Sequence, residues 1–191
     1  MSDKITREQW LNRATRELAK RFKANGLGTV PTDVKISCGF PGGGSARKRI
    51  GECWTRAASS AGVNEVFINP IIEDKTTVLA ILAHELCHAI DDCKSGHGAP
   101  FAALARGIGL EGKMTATVPG EDFKAWAATV KLGDFPHRQL NLRMGKKNKS
   151  GRRITMVCRT TGNKWLVSQA GHAEMTGCPF CGDDCHTTGE E

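Results

Sequence analysis

His84 and His88 stand four residues apart in the stretch His84-Glu85-Leu86-Cys87-His88. On a helix that spacing projects both imidazoles from one face, about 6 Å apart. Two neutral ring nitrogens so placed reach one Zn2+ at roughly 2.0–2.1 Å each. Glu85 follows the first histidine and stands beside the pair, where it can work on a water without being a ligand. A catalytic zinc also needs a third protein ligand and an open position. His97 is the candidate, because Gly96 and Gly98 flank it and let the chain turn sharply back toward the metal. The chemistry such a set performs is hydrolysis, with a Lewis-acid metal and Glu85 as general base. Chance surface polarity is the alternative. It fits poorly, because the pattern follows the apolar run Val78–Ala83, where two histidines and a glutamate are costly to bury without a partner.

No Gly or Pro interrupts that run, so the spacing predicts a helix, capped by Asp74 or Thr76 after the break at Asn69-Pro70. Asp91 falls on roughly the same face as the histidines. A carboxylate holding a ligand imidazole by its other nitrogen and a solvent-exposed helix end are equally open readings. Cys87 and Cys93 are close in sequence, but neither is expected to ligate, Cys87 being rotated about 100° from its histidine neighbour.

The elements that must carry this helix read as follows. Residues 3–24 form an amphipathic helix, with Thr6 as cap, Gln9 three residues on, and Trp10, Leu11, Ala14, Leu18 and Phe22 on the core face. Asn25-Gly26 stops it. Val34–Cys38, Arg49–Trp54 and Glu65–Asn69 are extended, and the Gly-rich GFPGGGSARKR between the first two reads as a mobile hairpin loop at the cleft edge. It lacks the phosphate-loop pattern. Cys38 and Cys53 look like isolated small buried residues. Pro100 suits the first turn of a helix over Phe101–Ile108. After GLEGKMTATVPG a further helix spans Glu121–Leu132, and Gly133–Pro136 closes the first domain.

The C-terminal segment carries a second metal signal. Cys178-Pro-Phe-Cys181-Gly182 is a C-x-x-C-G knuckle of the tetrahedral-zinc kind, and Cys158 precedes it at a separation that suits a two-knuckle ribbon. Thr161 stands where the first knuckle's second cysteine belongs. The fourth ligand is left to His172, Cys185 or His186, and a metal-free β-hairpin is the alternative.

The chain has 191 residues and eight cysteines, enough for one core-bearing domain and a small appendage. No apolar run is long enough to span a membrane, and the charged start MSDKITREQW has no apolar signal core. An intracellular, cytoplasmic setting is therefore expected, where cysteines bind metal or are buried. Net charge is +7, yet residues 135–173 hold nine Lys/Arg and no Asp or Glu, which leaves the remainder slightly acidic. Such a block marks contact with nucleic acid or another polyanion, or else a solvated linker.

HELCHAI, His97-Gly98 with Phe101, GIGLEGKMTAT, and a ribbon-like tail with Trp165 together resemble the SprT-like (Spartan-related) zinc metallopeptidases. GLEGKMTAT and GDFPH are similar to a subgroup common in bacteriophage and prophage. The resemblance covers roughly residues 5–185 and implies an α+β fold. A zincin-like metallopeptidase domain, a small twisted sheet packed on helices, would occupy 1–135. A basic linker would follow over 136–153, then a zinc-ribbon-like β domain over 154–191 with a degenerate first knuckle at Thr161. It also implies His84, His88 and His97 as ligands of a catalytic zinc, Glu85 as base, and peptide bonds as substrate. Relatives of the Spartan type cleave proteins attached to DNA, which agrees with the basic stretch. Two other readings stay open: a non-proteolytic nucleic-acid-binding zinc protein, and a zinc amidase acting on a non-protein substrate.

Overall fold

The computed structural model describes residues 5–42, 49–137 and 153–182, together with the backbone of 185–187. The chain is mixed α+β and divides into two compact units, Met1–Gln139 and Leu140–Glu191. The predicted basic linker falls mostly on residues 138–152, outside the described residues.

In the first unit, helix α1 (Arg7–Ala24) opens with the expected capping box, the Gln9 amide donating to Thr6 Oγ1 at 3.1 Å and the Thr6 amide to Gln9 Oε1 at 2.9 Å. Its face of Trp10, Leu11, Ala14, Leu18 and Phe22 is fully buried. Asn25 caps the end, and Gly26 takes the left-handed conformation that turns the chain away.

Strands β1 (Lys35–Cys38), β2 (Gly51–Trp54) and β3 (Glu65–Ile68) form one sheet in the order β1-β3-β2. β1 runs parallel to β3 and β2 antiparallel to it. The connection from β1 to β2 therefore crosses over β3 instead of closing the expected hairpin. Its Gly-rich middle, residues 43–48, lies outside the described residues. β2 is left as an edge strand.

Helix α2 (Lys75–Ile90) is the centre of the unit, capped by Asp74, whose carboxylate accepts from the Thr77 amide at 2.7 Å. Leu79, Leu82, Leu86 and Cys87 are fully buried, each large side chain contributing about 1.5–3 kcal/mol of apolar burial. The helix packs against β2, β3, α1 and the elements that follow. Those are α3 (Ala99–Gly107), with Pro100 in its first turn, the hairpin β4 (Leu110–Lys113) and β5 (Ala116–Pro119), and α4 (Glu121–Thr129). Phe135 closes the core edge-on to Trp10, ring centroids 5.0 Å apart, with the Arg7 guanidinium over its face. Arg7 Nε also donates to the Pro136 carbonyl at 2.8 Å.

The second unit is a three-stranded sheet of β6 (Ile154–Cys158), β7 (Lys164–Val167) and β8 (Cys185–Thr187) in the order β7-β6-β8, with a short helix α5 (Gln169–Ala173). Both neighbours run antiparallel to β6, and the β6–β8 register sets Cys158 opposite Cys185.

Candidate metal centre

The buried helix α2 presents His84 and His88 to one cleft, and the turn after it brings His97 to them. That turn is tight: Asp92 and Cys93 take left-handed φ values of +57° and +61°, and Gly96 takes +51°. A left-handed Asp followed by a left-handed Cys is uncommon and needs support. Asp92 Oδ1 supplies it, accepting from the Arg56 amide and from Asn64 Nδ2, each at 2.8 Å.

The three imidazoles converge through the same atom. His97 Nε2 lies 3.3 Å from His84 Nε2 and 3.3 Å from His88 Nε2. Phe101 of α3 stacks on His88 at 4.4 Å and meets the other two rings edge-on, a hydrophobic floor that fixes all three planes. Burial holds His84 near a pKa of about 3 and His88 near about 4, with neighbouring imidazoles adding to the effect, and burial lowers His97 as well. His84 and His88 are therefore neutral donors over the ordinary pH range, and the same burial favours the neutral form of His97. Three ring nitrogens at this spacing, fixed in orientation, fit a divalent cation. Among the described residues no fourth His, Cys, Asp or Glu joins the group, Cys87 and Cys93 included.

The elements around the triad supply what the local sequence pattern does not show. Thr117, on β5, sits 2.9 Å from His84 Nδ1 and sets that ring's orientation from behind. Asp91 does not hydrogen-bond a ligand imidazole; it accepts from the Ser95 amide at 3.1 Å and from the Ser95 hydroxyl, and acts on His88 only by charge. Glu85 is 6% exposed, facing the edge strand β2 at Gly51. Burial pushes its carboxyl up to about 8, with the charges of Cys93 and Glu52 contributing.

The cleft holds about 560 Å³ and is lined by the triad, Glu85, residues 49–53 of and beside β2, and Thr115–Thr117 before and in β5. Glu52 organises the rim, accepting from the Gly42 amide at 2.7 Å, from Trp54 Nε1 at 3.1 Å and from Arg49. Cys53 is not the isolated buried residue its sequence context suggests: it is half-buried, lines the cleft, and lies 3.7 Å from Cys93, sulfur to sulfur.

In the second unit Cys158, Cys178 and Cys181 come together as a separate group, the Cys158 and Cys181 sulfurs 3.5 Å apart. Two loops of the same shape present them. Gly162 donates to the Cys158 carbonyl and Gly182 to the Cys178 carbonyl, both at 2.8 Å, and both glycines take positive φ. The first knuckle thus keeps its fold with Thr161 in place of a cysteine, and the Thr161 amide donates to the Cys158 sulfur at 3.3 Å. His172 lies on α5 and does not join the group, while the side chains of Cys185 and His186 fall outside the described residues.

Comparison with protein-family models, curated proteins and solved structures yields no match. No helix among the described residues is long and apolar enough to cross a membrane.

Proposed function

We propose that the protein is a zinc-dependent metallopeptidase of SprT-like type, with a zincin-like first unit and a zinc-ribbon-like second one. The observation that carries this reading is the convergence of three imidazole nitrogens beside a buried Glu85 in a cleft bounded by the edge strand β2. Held by His84, His88 and His97, zinc would supply a Lewis acid that activates water and polarises a carbonyl.

The chain's own groups do the rest. Glu85 takes the proton of the attacking water and hands it to the departing amine. Its burial shields that proton from bulk water until the amine leaves. The edge strand β2 offers main-chain donors and acceptors to an extended peptide, which would add to the sheet as a further strand across the metal site. Phe101 and Thr117 hold the ligand rings in place while substrate binds. The chain has no tyrosine, so no phenol assists.

The basic stretch 135–173 and the Cys158/Cys178/Cys181 group, read as a second zinc site, support an action on proteins bound to nucleic acid. A non-proteolytic protein with a structural zinc would normally close its site with a fourth ligand, and none joins the triad among the described residues.

The test compares zinc-loaded wild type with Glu85→Gln on casein and histone, each with and without single-stranded DNA. Cleavage by wild type only, with zinc bound equally in both, is expected. Retained turnover in Glu85→Gln would refute the role of Glu85. No cleavage by either, with zinc bound, would favour an amidase or a binding protein.

A further inference from the structure

The cleft contains a pair of thiols that the hydrolytic reading does not use. Cys53 sits on the edge strand β2 and Cys93 on the left-handed turn after α2, and their sulfurs are 3.7 Å apart. The approach is built into the fold. Asp92, next to Cys93, accepts from the Arg56 amide just beyond β2, while Asn64 bridges Asp92 to the Trp54 carbonyl at the end of that strand. The turn carrying Cys93 is thereby fastened to the strand carrying Cys53. Both thiols are half-buried and face the cleft, so a small oxidant can reach them. The other close cysteine group of the described residues, Cys158/Cys178/Cys181, has three members and its own metal-ligand geometry.

We infer that Cys53 and Cys93 are the site of a reversible disulfide, formed by exchange with a low-molecular-weight disulfide, which staples the edge strand to the turn leading to His97. Sulfurs 3.7 Å apart are in van der Waals contact and close to the bonded separation of about 2 Å when the disulfide forms. Cys93, carried on the turn and not in the sheet, is the attacking sulfur, and Cys53 on β2 is the resolving one. The Cys93 thiolate attacks one sulfur of oxidised glutathione and expels one glutathione thiolate. Cys53 then attacks Cys93 sulfur in the mixed disulfide, the second glutathione leaves, and the protein S–S bond forms. Two protein thiols are oxidised, the glutathione disulfide is reduced to two thiols, and the two protein protons end on them.

The experiment uses the zinc-loaded full chain. It is reduced, incubated with oxidised glutathione, blocked with an alkylating agent, digested with trypsin and analysed by mass. The expected product joins Ile50–Arg56 to Thr76–Lys94 through Cys53 and Cys93, vanishes with dithiothreitol, and is absent from Cys53→Ser and from Cys93→Ser. Alkylation of both as free thiols, glutathione on either without further exchange, or a bond through Cys87 would overturn the inference. The wild-type result stands without the variants should either fail to fold. The readout is covalent mass, so a protein without peptidase activity leaves it intact.

Discussion

At the scale of single residues, the candidate ligands are legible because they are local. His84, Glu85 and His88 share one helix, and His97 follows one glycine-assisted turn later, so spacing alone brings them to mind. Thr117 and Gly51 are not legible, because they arrive from other elements through tertiary packing. Gly51 is the sharper case. A Cβ there would stand 2.5 Å from Glu85 Oε1 and 2.6 Å from Ile81 Cγ2, so only glycine lets β2 lie against the proposed base. Gly51→Ala must displace either the carboxylate or the strand. A misplacement of about 1 Å costs on the order of 10²-fold in rate. Peptide turnover by Gly51→Ala is therefore expected to fall about 100-fold while zinc content, measured by elemental analysis, stays at the wild-type level. Turnover close to wild type would show that Glu85 tolerates the shift and is not positioned by β2.

At the scale of elements, the sequence marks helices more surely than strands. The periodic face of α1, the unbroken apolar run of α2 and the caps of both are written in consecutive residues, whereas the pairing of β1 with β3 in parallel depends on a crossover no local pattern encodes. The hairpin β4–β5 is a similar case: Met114–Val118 alternates apolar and polar residues, but only the structure places Thr117 behind His84. Two predictions belong here. In the second unit, the β6–β8 register sets Cys185 opposite Cys158 and His186 opposite Val157. Cys185→Ser is then expected to lower bound zinc from two equivalents to one, and His172→Ala to leave it at two. Loss in His172→Ala alone would assign the fourth ligand to α5. The other prediction concerns α2 in the metal-free protein. His84 and His88 have folded pKa values below the free value of 6.5, so the unfolded chain binds more protons below that pH and stability falls as pH drops. Glu85 is raised above its free value of 4.5, so its contribution is lost as pH rises through about 8. Between those free values two imidazoles outweigh one carboxyl, so the contribution of these three cleft groups to metal-free stability peaks near pH 6.5. Calorimetric melting across pH should show it, and Glu85→Gln should flatten the alkaline limb; an unchanged alkaline limb would mean Glu85 is ionised in the folded apoprotein.

At the scale of the whole molecule, positive charge is concentrated in one block, while the two units carry similar net charges of +4 and +3. The nine cations between 135 and 173 would repel one another in a compact state without an anionic partner, and the part of the chain outside that block is slightly acidic. A polyanion is the partner that relieves such a block, through release of its counterions. The cut that tests this must respect the core: Phe135 is 2% exposed against Trp10, and Pro136 accepts from Arg7, so removing residues from 135 onward would damage the first unit itself. A protein ending at Gln139 keeps those contacts and discards the second unit whole, with eight of the nine cations. Full-length protein is expected to bind a fluorescent single-stranded oligonucleotide with an affinity that falls steeply with salt, the slope of log K against log salt being about −0.7 per phosphate contacted. The protein ending at Gln139 is expected to lose that binding while still cleaving unbound casein. Equal binding by both would place the nucleic-acid contact on the first unit, and the single-sign block would then be a solubilising linker. Loss of casein cleavage together with binding, in a truncated protein that melts cooperatively and holds zinc, would mean instead that the second unit takes part in hydrolysis.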